Sequence, residues 1–201
     1  MRPDFLAIGH VTRDRTKEGL APGGTVTYAA LTAARMGLRP AILTSASTDA
    51  LPLSPVRDVP THVVRSTETT TFRNVYEGGR RTQHLEAVAA DIGPADVPEE
   101  WHGAPMVLLG PLVGEVAPEL ARCFPRSTVV ASLQGWLRSW DADGLVAPSP
   151  WRGDDVLPDV SAAVVAESDI ADAADAAHWA RLAPLLIVTR GALGSAVHKG
   201  A

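Results

Sequence analysis

Short unbroken apolar runs, each closed by glycine or a polar cluster, alternate along the chain with alanine- and leucine-rich segments. Phe5–Gly9 is the first run, and its length and glycine stop predict a buried strand. Thr25–Met36 is rich in alanine, follows Gly23-Gly24 and stops at Gly37, which predicts a helix ended by glycine. Ala41–Thr44 predicts a second buried strand. Strand, helix, strand is a βαβ unit and implies a parallel sheet.

The pattern then changes. His62–Arg65, Thr69–Tyr76 and Arg81–Ala87 are rich in Thr, Val and aromatic residues, with a hairpin turn expected at Glu77-Gly78-Gly79-Arg80. These stretches predict a small antiparallel appendage over about residues 60–90, outside the main sheet. A proline-bearing connection (91–101) leads back to the first rhythm. Met106–Leu109, Thr128–Ala131, Ala162–Val165 and Leu185–Val188 predict buried strands. Glu115–Cys123 and Ser168–Arg181 predict helices between them, and 141–159 a loop. The expected fold class is α/β, a doubly wound, mostly parallel sheet flanked by helices, in one domain over 1–201. Ser195–Lys199 predicts one arm of a hairpin, with Gly200 opening its turn. The absent return arm would leave a row of backbone groups unpaired, so the fold is expected to be incomplete at its C-terminus. Loss of covering elements should expose apolar surface and favour self-association.

Composition narrows the functions. Of 201 residues, 46% are hydrophobic and 20% charged, with a formal net charge of −5. No basic cluster suggests a nucleic-acid partner. No apolar run approaches the ~18 residues that span a bilayer, and the N-terminus does not read as a signal peptide. Cys123 is the single cysteine, read as a buried structural thiol in a cytoplasmic protein.

Four segments carry candidate chemistry. Gly9–Asp14 followed by Gly23-Gly24 puts a carboxylate and a glycine pair beyond a strand end, where open α/β sheets bind ligands; a plain loop and turn use the same residues. Val188–Gly194 runs from a strand into Thr189, Gly191 and Gly194, either a phosphate-approaching turn or an ordinary hairpin. Glu167-Ser168-Asp169 either caps a helix or helps hold Mg²⁺. Ser132–Arg138 carries Gln134-Gly135 and Trp136, which with Trp140 reads as packing or as a sugar platform. The six histidines show no metal-ligand spacing, and His10 near Asp14 lacks a nucleophile motif.

Taken in order, the Asp14 strand, Gly23-Gly24, the β-rich insertion and Thr189-x-Gly191-x-x-Gly194 resemble the ribokinase-type (PfkB) carbohydrate kinases over about Asp4–His198. Thr69–Tyr76 and Gly79-Arg80 resemble the lid strands of that family, and Leu109–Leu112 with Glu115 its central strand and next helix. Gln134–Arg138 with Asp141-x-Asp143-Gly144 is similar to bacterial members, in a layout like the inositol-kinase branch.

The resemblance implies a β lid over a sugar or polyol, ATP as donor and Mg²⁺ as its ion. Asp14 would bind substrate hydroxyls, Gly23-Gly24 would contact substrate and hinge the lid, and Tyr28 stands where many members have asparagine. Thr189, Gly191 and Gly194 would face the nucleotide. Asp169, with Glu167 beside it, falls near the glutamate of an Asn-x-x-Glu motif that organises Mg²⁺. Ala166 replaces that motif's asparagine, and residues 50–60 look shortened. The Gly-Ala-Gly-Asp motif that supplies the family's anion-binding amides and catalytic base is not in the sequence, so the chain is expected to lack kinase activity. The alternatives are a non-catalytic polyol- or nucleotide-binding module, or an unrelated α/β protein whose turns are structural. A homodimer through the lid strands is a further expectation.

Overall fold

Continuous apolar strands call for cover on both faces, and here they form a parallel sheet wound outward in two directions from the first strand. The computed structural model describes residues 1–16, 18–47, 56–77 and 80–200. In chain order the elements are β1 (Phe5–Ile8), β2 (Thr12–Thr16), β3 (Gly19–Gly23), α1 (Thr25–Arg35), β4 (Pro40–Ala46), β5 (Thr61–Arg65), β6 (Thr71–Glu77) and β7 (Arg80–Ala87). They continue as β8 (Met106–Leu109), β9 (Thr128–Ser132), β10 (Arg138–Trp140), β11 (Val146–Pro148), β12 (Ala162–Ala166), α2 (Ala173–Leu182), β13 (Leu185–Thr189) and β14 (Ser195–Lys199).

The main sheet has eight strands in the order β14-β13-β12-β9-β8-β1-β4-β5. Every pair is parallel except β13–β14. From β1 the chain runs to β4 and β5 on one side, then returns to β8 and runs to β13 on the other. The switch point therefore lies between β1 and β8, where their loops part and a crevice opens. Gly9 and Gly110 end these strands. A Cβ on Gly9, at φ 151°, would collide with the Gly110 carbonyl, so the strands meet there without side chains between them.

The two faces of the sheet are covered unequally. Leu6, Ile8, Val107, Leu109, Ala131, Val165 and Leu186 point into the larger core, beneath Phe124, Leu157 and Trp179. Ala7 and Ile42 face the other way, against Val26 and Ala30 of α1. Register carries the α1 face from Ala7 through Leu108 and Val130 to Val164 and Ile187. These last four side chains are only half-buried. Full burial of such a side chain is worth roughly 1.5–3 kcal/mol, so this face keeps unused driving force.

α1 forms where its alanines predict. Gly37, at φ 81°, donates its N–H to Ala34 O at 3.0 Å, and Leu38 N–H reaches Ala33 O at 3.0 Å, a glycine-closed C-terminus.

Several expectations are corrected. Thr61–Arg65 is not part of the appendage; it pairs parallel with β4 at the edge of the main sheet. The appended sheet has the order β3-β2-β6-β7, antiparallel except at β2–β6. Asp14 thus lies within a strand, not a loop. The centre of the expected turn, Gly78-Gly79, and residues 50–55 of the 50–60 stretch expected to be shortened lie outside the described residues. Glu115–Cys123 is no helix. Pro118 holds Ala117 extended at ψ 134° and leaves a single 3₁₀ turn, Pro118–Arg122. Glu167–Asp169 is its own 3₁₀ turn, and α2 starts later because Asp172 caps it, accepting Ala174 N–H at 2.8 Å. The 141–159 segment contains β11, paired with β10 across a turn in which Asp141 Oδ1 accepts the amides of Asp143 and Leu145. Ser195–Lys199 is already the return arm of a hairpin with β13. Trp136 is buried, whereas Trp140 is 41% exposed. Cys123 is half-buried, and desolvation followed by the Glu119 charge pushes its thiol up, which makes it a poor nucleophile.

Asp4 and Arg39 join the starts of β1 and β4 through two side-chain hydrogen bonds of 2.6 and 2.8 Å. The Arg39 guanidinium lowers the Asp4 carboxyl to about 2. The folded value lies below the unfolded one, so this stabilisation is present above about pH 4 and lost as pH falls towards 2. Wild type should therefore lose its advantage over Asp4→Asn across that window, measured by urea unfolding; parallel curves would contradict it.

Candidate functional site at the carboxyl edge

The chain turns out of the main sheet at His10, and a buried hydrogen-bond network fixes that corner. His10 and Glu115 are both almost wholly buried. His10 Nε2 meets the Ala90 carbonyl at 2.9 Å and Nδ1 meets Thr70 Oγ1 at 2.7 Å. A carbonyl only accepts, so Nε2 carries a proton; in the neutral ring Nδ1 then accepts the Thr70 hydroxyl. Thr70 Oγ1 in turn accepts Ala89 N–H at 2.9 Å. Glu115 accepts the backbone amides of His10, Leu112 and Val113 at 2.8–2.9 Å. His10 precedes β2, Thr70 precedes β6, Ala89 and Ala90 follow β7, and Leu112-Val113 follow β8. One network thus ties the base of the appended sheet to the switch point.

Beside it lies a cavity of about 270 Å³, lined by Thr12, Asp14, Gly24, Thr25, Tyr28, Phe72, Gln83, Leu112, Gln134 and Arg138. β2 carries Asp14 into this wall, half-buried, opposite β3. Gly23 is the cross-strand partner of Thr12, and a Cβ there would press on the Asp14 carboxyl group at 3.0 Å. Gly24, at φ 98°, opens α1; a Cβ would strike the His10 carbonyl. Tyr28 is exposed and reaches Pro22 O at 3.4 Å.

A second cavity, of about 580 Å³, is lined by Thr82, Gln83, Leu137, Arg138, Val146, Ala147, Pro148, Ser168 and Asp169. It shares Gln83 and Arg138 with the first. Asp169 Oδ2 accepts Gln134 Nε2–H at 3.2 Å, which fixes its carboxyl group. Glu167 is exposed and lines neither cavity. Among the described residues no group of three or more His, Cys, Asp or Glu could hold a metal. Asp169 therefore fits Mg²⁺ only as an ion carried largely by phosphate oxygens, a common arrangement for that cation.

Thr189, Gly191 and Gly194 line neither of these cavities; they form an exposed turn. Its register places it at the same sheet edge, since Thr189 pairs with Ala166 just before the Glu167–Asp169 turn. Gly191 and Gly194 have φ 54° and 86°, with open space where their Cβ atoms would be. β13 is four strands from β1, roughly 19 Å at ~4.8 Å per strand. The sequence-derived residues are thus brought to one edge but not to one cavity.

Sequence reading missed Gln83, which has no local signal, and the β2–β3 hairpin that presents Asp14. A second link also escaped it. Leu85 N–H donates to Gly144 O at 2.8 Å, and a Cβ on Gly144 would collide with the Leu85 carbonyl. The β10–β11 turn therefore covers part of the outer edge of β7.

No family profile and no curated protein matches the chain. Solved structures do. A pyrophosphate-dependent kinase in the ribokinase family superposes with a TM-score of 0.79 at 21% identity, over 98% of this chain and 76% of that one. The same kind of kinase complexed with a pyrophosphate analog and myo-inositol gives 0.77 at 20%, over 98% and 76%. Arabidopsis thaliana ribokinase complexed with ribose and ATP gives 0.68 at 14%, over 99% and 75%. The chain has the ribokinase-like fold, a mostly parallel sheet with a small antiparallel one. Among the described residues no helix is long and apolar enough to cross a membrane.

Glu115→Ala strands three buried amides and should cost about 3–5 kcal/mol in urea unfolding. Glu115→Gln, which keeps the shape but places a donor against donors, should cost about 1–3 kcal/mol. Losses below about 0.5 kcal/mol for both would show that the network does not hold the corner.

Proposed function

We propose that the carboxyl-edge cleft is the site of a carbohydrate-kinase-type protein, which takes a sugar or polyol in the Asp14 cavity and the phosphates of ATP beside Asp169. The observation that carries this reading is the pair of adjoining cavities at the carboxyl edge of the sheet, one holding Asp14 and the other Asp169, with a shared wall. A carboxylate with flanking Thr12, Thr25 and Gln83 suits vicinal hydroxyls, each of which needs an acceptor. Gly23 and Gly24 leave room for that ligand, and Tyr28 borders it. The appended sheet, about 60–90 with β2 and β3, serves as the lid. On the donor side, Thr189, Gly191 and Gly194 would flank the nucleotide, and Asp169 with Glu167 nearby would help hold the Mg²⁺ that the phosphates carry. Pyrophosphate is the competing donor, favoured by the higher TM-scores of the pyrophosphate-dependent neighbours.

The sequence carries no Gly-Ala-Gly-Asp motif, so these 201 residues are proposed to bind both ligands without transferring phosphate. The second reading, a polyol- or nucleotide-binding module, rests on the same absence. A lid-mediated homodimer would use β3, because the β7 edge is partly covered by Gly144-Leu145. A cytoplasmic setting fits the single cysteine.

Calorimetry with myo-inositol and ribose tests the reading. The chain should bind one of them, and Asp14→Asn should weaken that binding about 10–100-fold, as expected for a charged hydrogen-bond acceptor. Equal affinities, or no binding by wild type, would contradict it.

A further inference from the structure

Arg138 is half-buried and lines both cavities. Among the described residues that line either one, it is the only cation, while Asp14 and Asp169 are the anions, one on each side. A phosphate entering a cleft edged by two carboxylates meets repulsion unless a positive group offsets it. Arginine suits that task, since its planar fork presents paired donors to phosphate oxygens.

The backbone beneath Arg138 is fixed. Leu133–Leu137 form a 3₁₀ turn with Gly135, Trp136 and Leu137 buried. A Cβ on Gly135 would collide with the Pro111–Leu112 backbone, so the turn rests directly on the loop after β8. Trp136 stacks on Trp151, with centroids 5.2 Å apart and planes within 7°, and donates Nε1–H to Val116 O at 3.2 Å. Immediately afterwards Arg138 pairs with Pro148 in the β10–β11 hairpin. A backbone fixed in this way delivers the Arg138 side chain to the shared wall before a ligand arrives, which lowers the ordering cost of binding.

We infer that Arg138 is the phosphate-binding residue of the wall between the cavities, and that it takes the terminal phosphate of a phosphoanhydride at the boundary with the polyol. The inference rests on the kinase-type reading of the cleft and adds to it a residue that the Gly-pair and Thr-x-Gly signals do not reach. Gln83, opposite on β7, shares the wall and brings the lid to the same ligand.

The test is calorimetry of the 201-residue chain with inorganic pyrophosphate and excess Mg²⁺, using myo-inositol as the control ligand. Arg138→Gln should weaken pyrophosphate binding by about tenfold or more and flatten its salt dependence. Arg138→Lys, which keeps the charge but loses the fork, should fall between it and wild type. The inference is overturned if Arg138→Gln binds pyrophosphate as wild type does. It is also overturned if both ligands weaken in proportion as the melting temperature falls, which marks a structural role. Wild type that binds myo-inositol but no pyrophosphate overturns it too, while leaving the polyol site standing. Arg138-dependent pyrophosphate binding without any polyol binding supports it and removes the kinase-type reading instead.

Discussion

The buried network of His10, Thr70 and Glu115 is the constraint on which the site depends. Four chain segments leave the main sheet or return to it within one corner: before β2, before β6, after β7 and after β8. Their backbone amides and carbonyls cannot pair as a ladder there, and burial forbids leaving them bare. Three side chains supply the missing partners. The corner sets where β2 begins, and so where Asp14 stands.

A second constraint is the contact between Gly9 and Gly110 at the switch point. It draws β1 and β8 together without side chains, so the loops beyond them diverge at once and leave the crevice. Gly23, Gly24 and Gly135 extend the same logic: each sits where a Cβ would meet backbone or the Asp14 carboxyl group. On the α1 face, cover is uneven. Leu108, Val130, Val164 and Ile187 share that face at half burial, an apolar strip that favours association with whatever can cover it.

Much of this was legible in the sequence. Runs such as Phe5–Ile8 and Leu185–Val188 declare buried parallel strands because both faces need apolar residues. The α1 boundaries follow from alanine and from Gly37. The failures have physical causes. Thr12–Gly23 is a hairpin of polar residues and glycine, with no apolar period to reveal it. Thr61–Arg65 looks like its neighbours in composition, and only pairing with β4 sets it apart. Pro118 and the Asp172 cap outweighed local helix preference. The acid and glycine candidates were visible as types, but their assembly into two cavities needed Gln83 and Arg138, whose importance comes only from position.

The central claim is that one edge of the sheet holds two ligands side by side. Amide hydrogen exchange of the chain with myo-inositol, then with ATP and Mg²⁺, tests it most directly. The polyol should protect 12–16 and 23–28, and the nucleotide should protect 167–169 and 189–194. Protection confined to the amino edge, around 122–128 and 158–161, or none at all, would contradict the account.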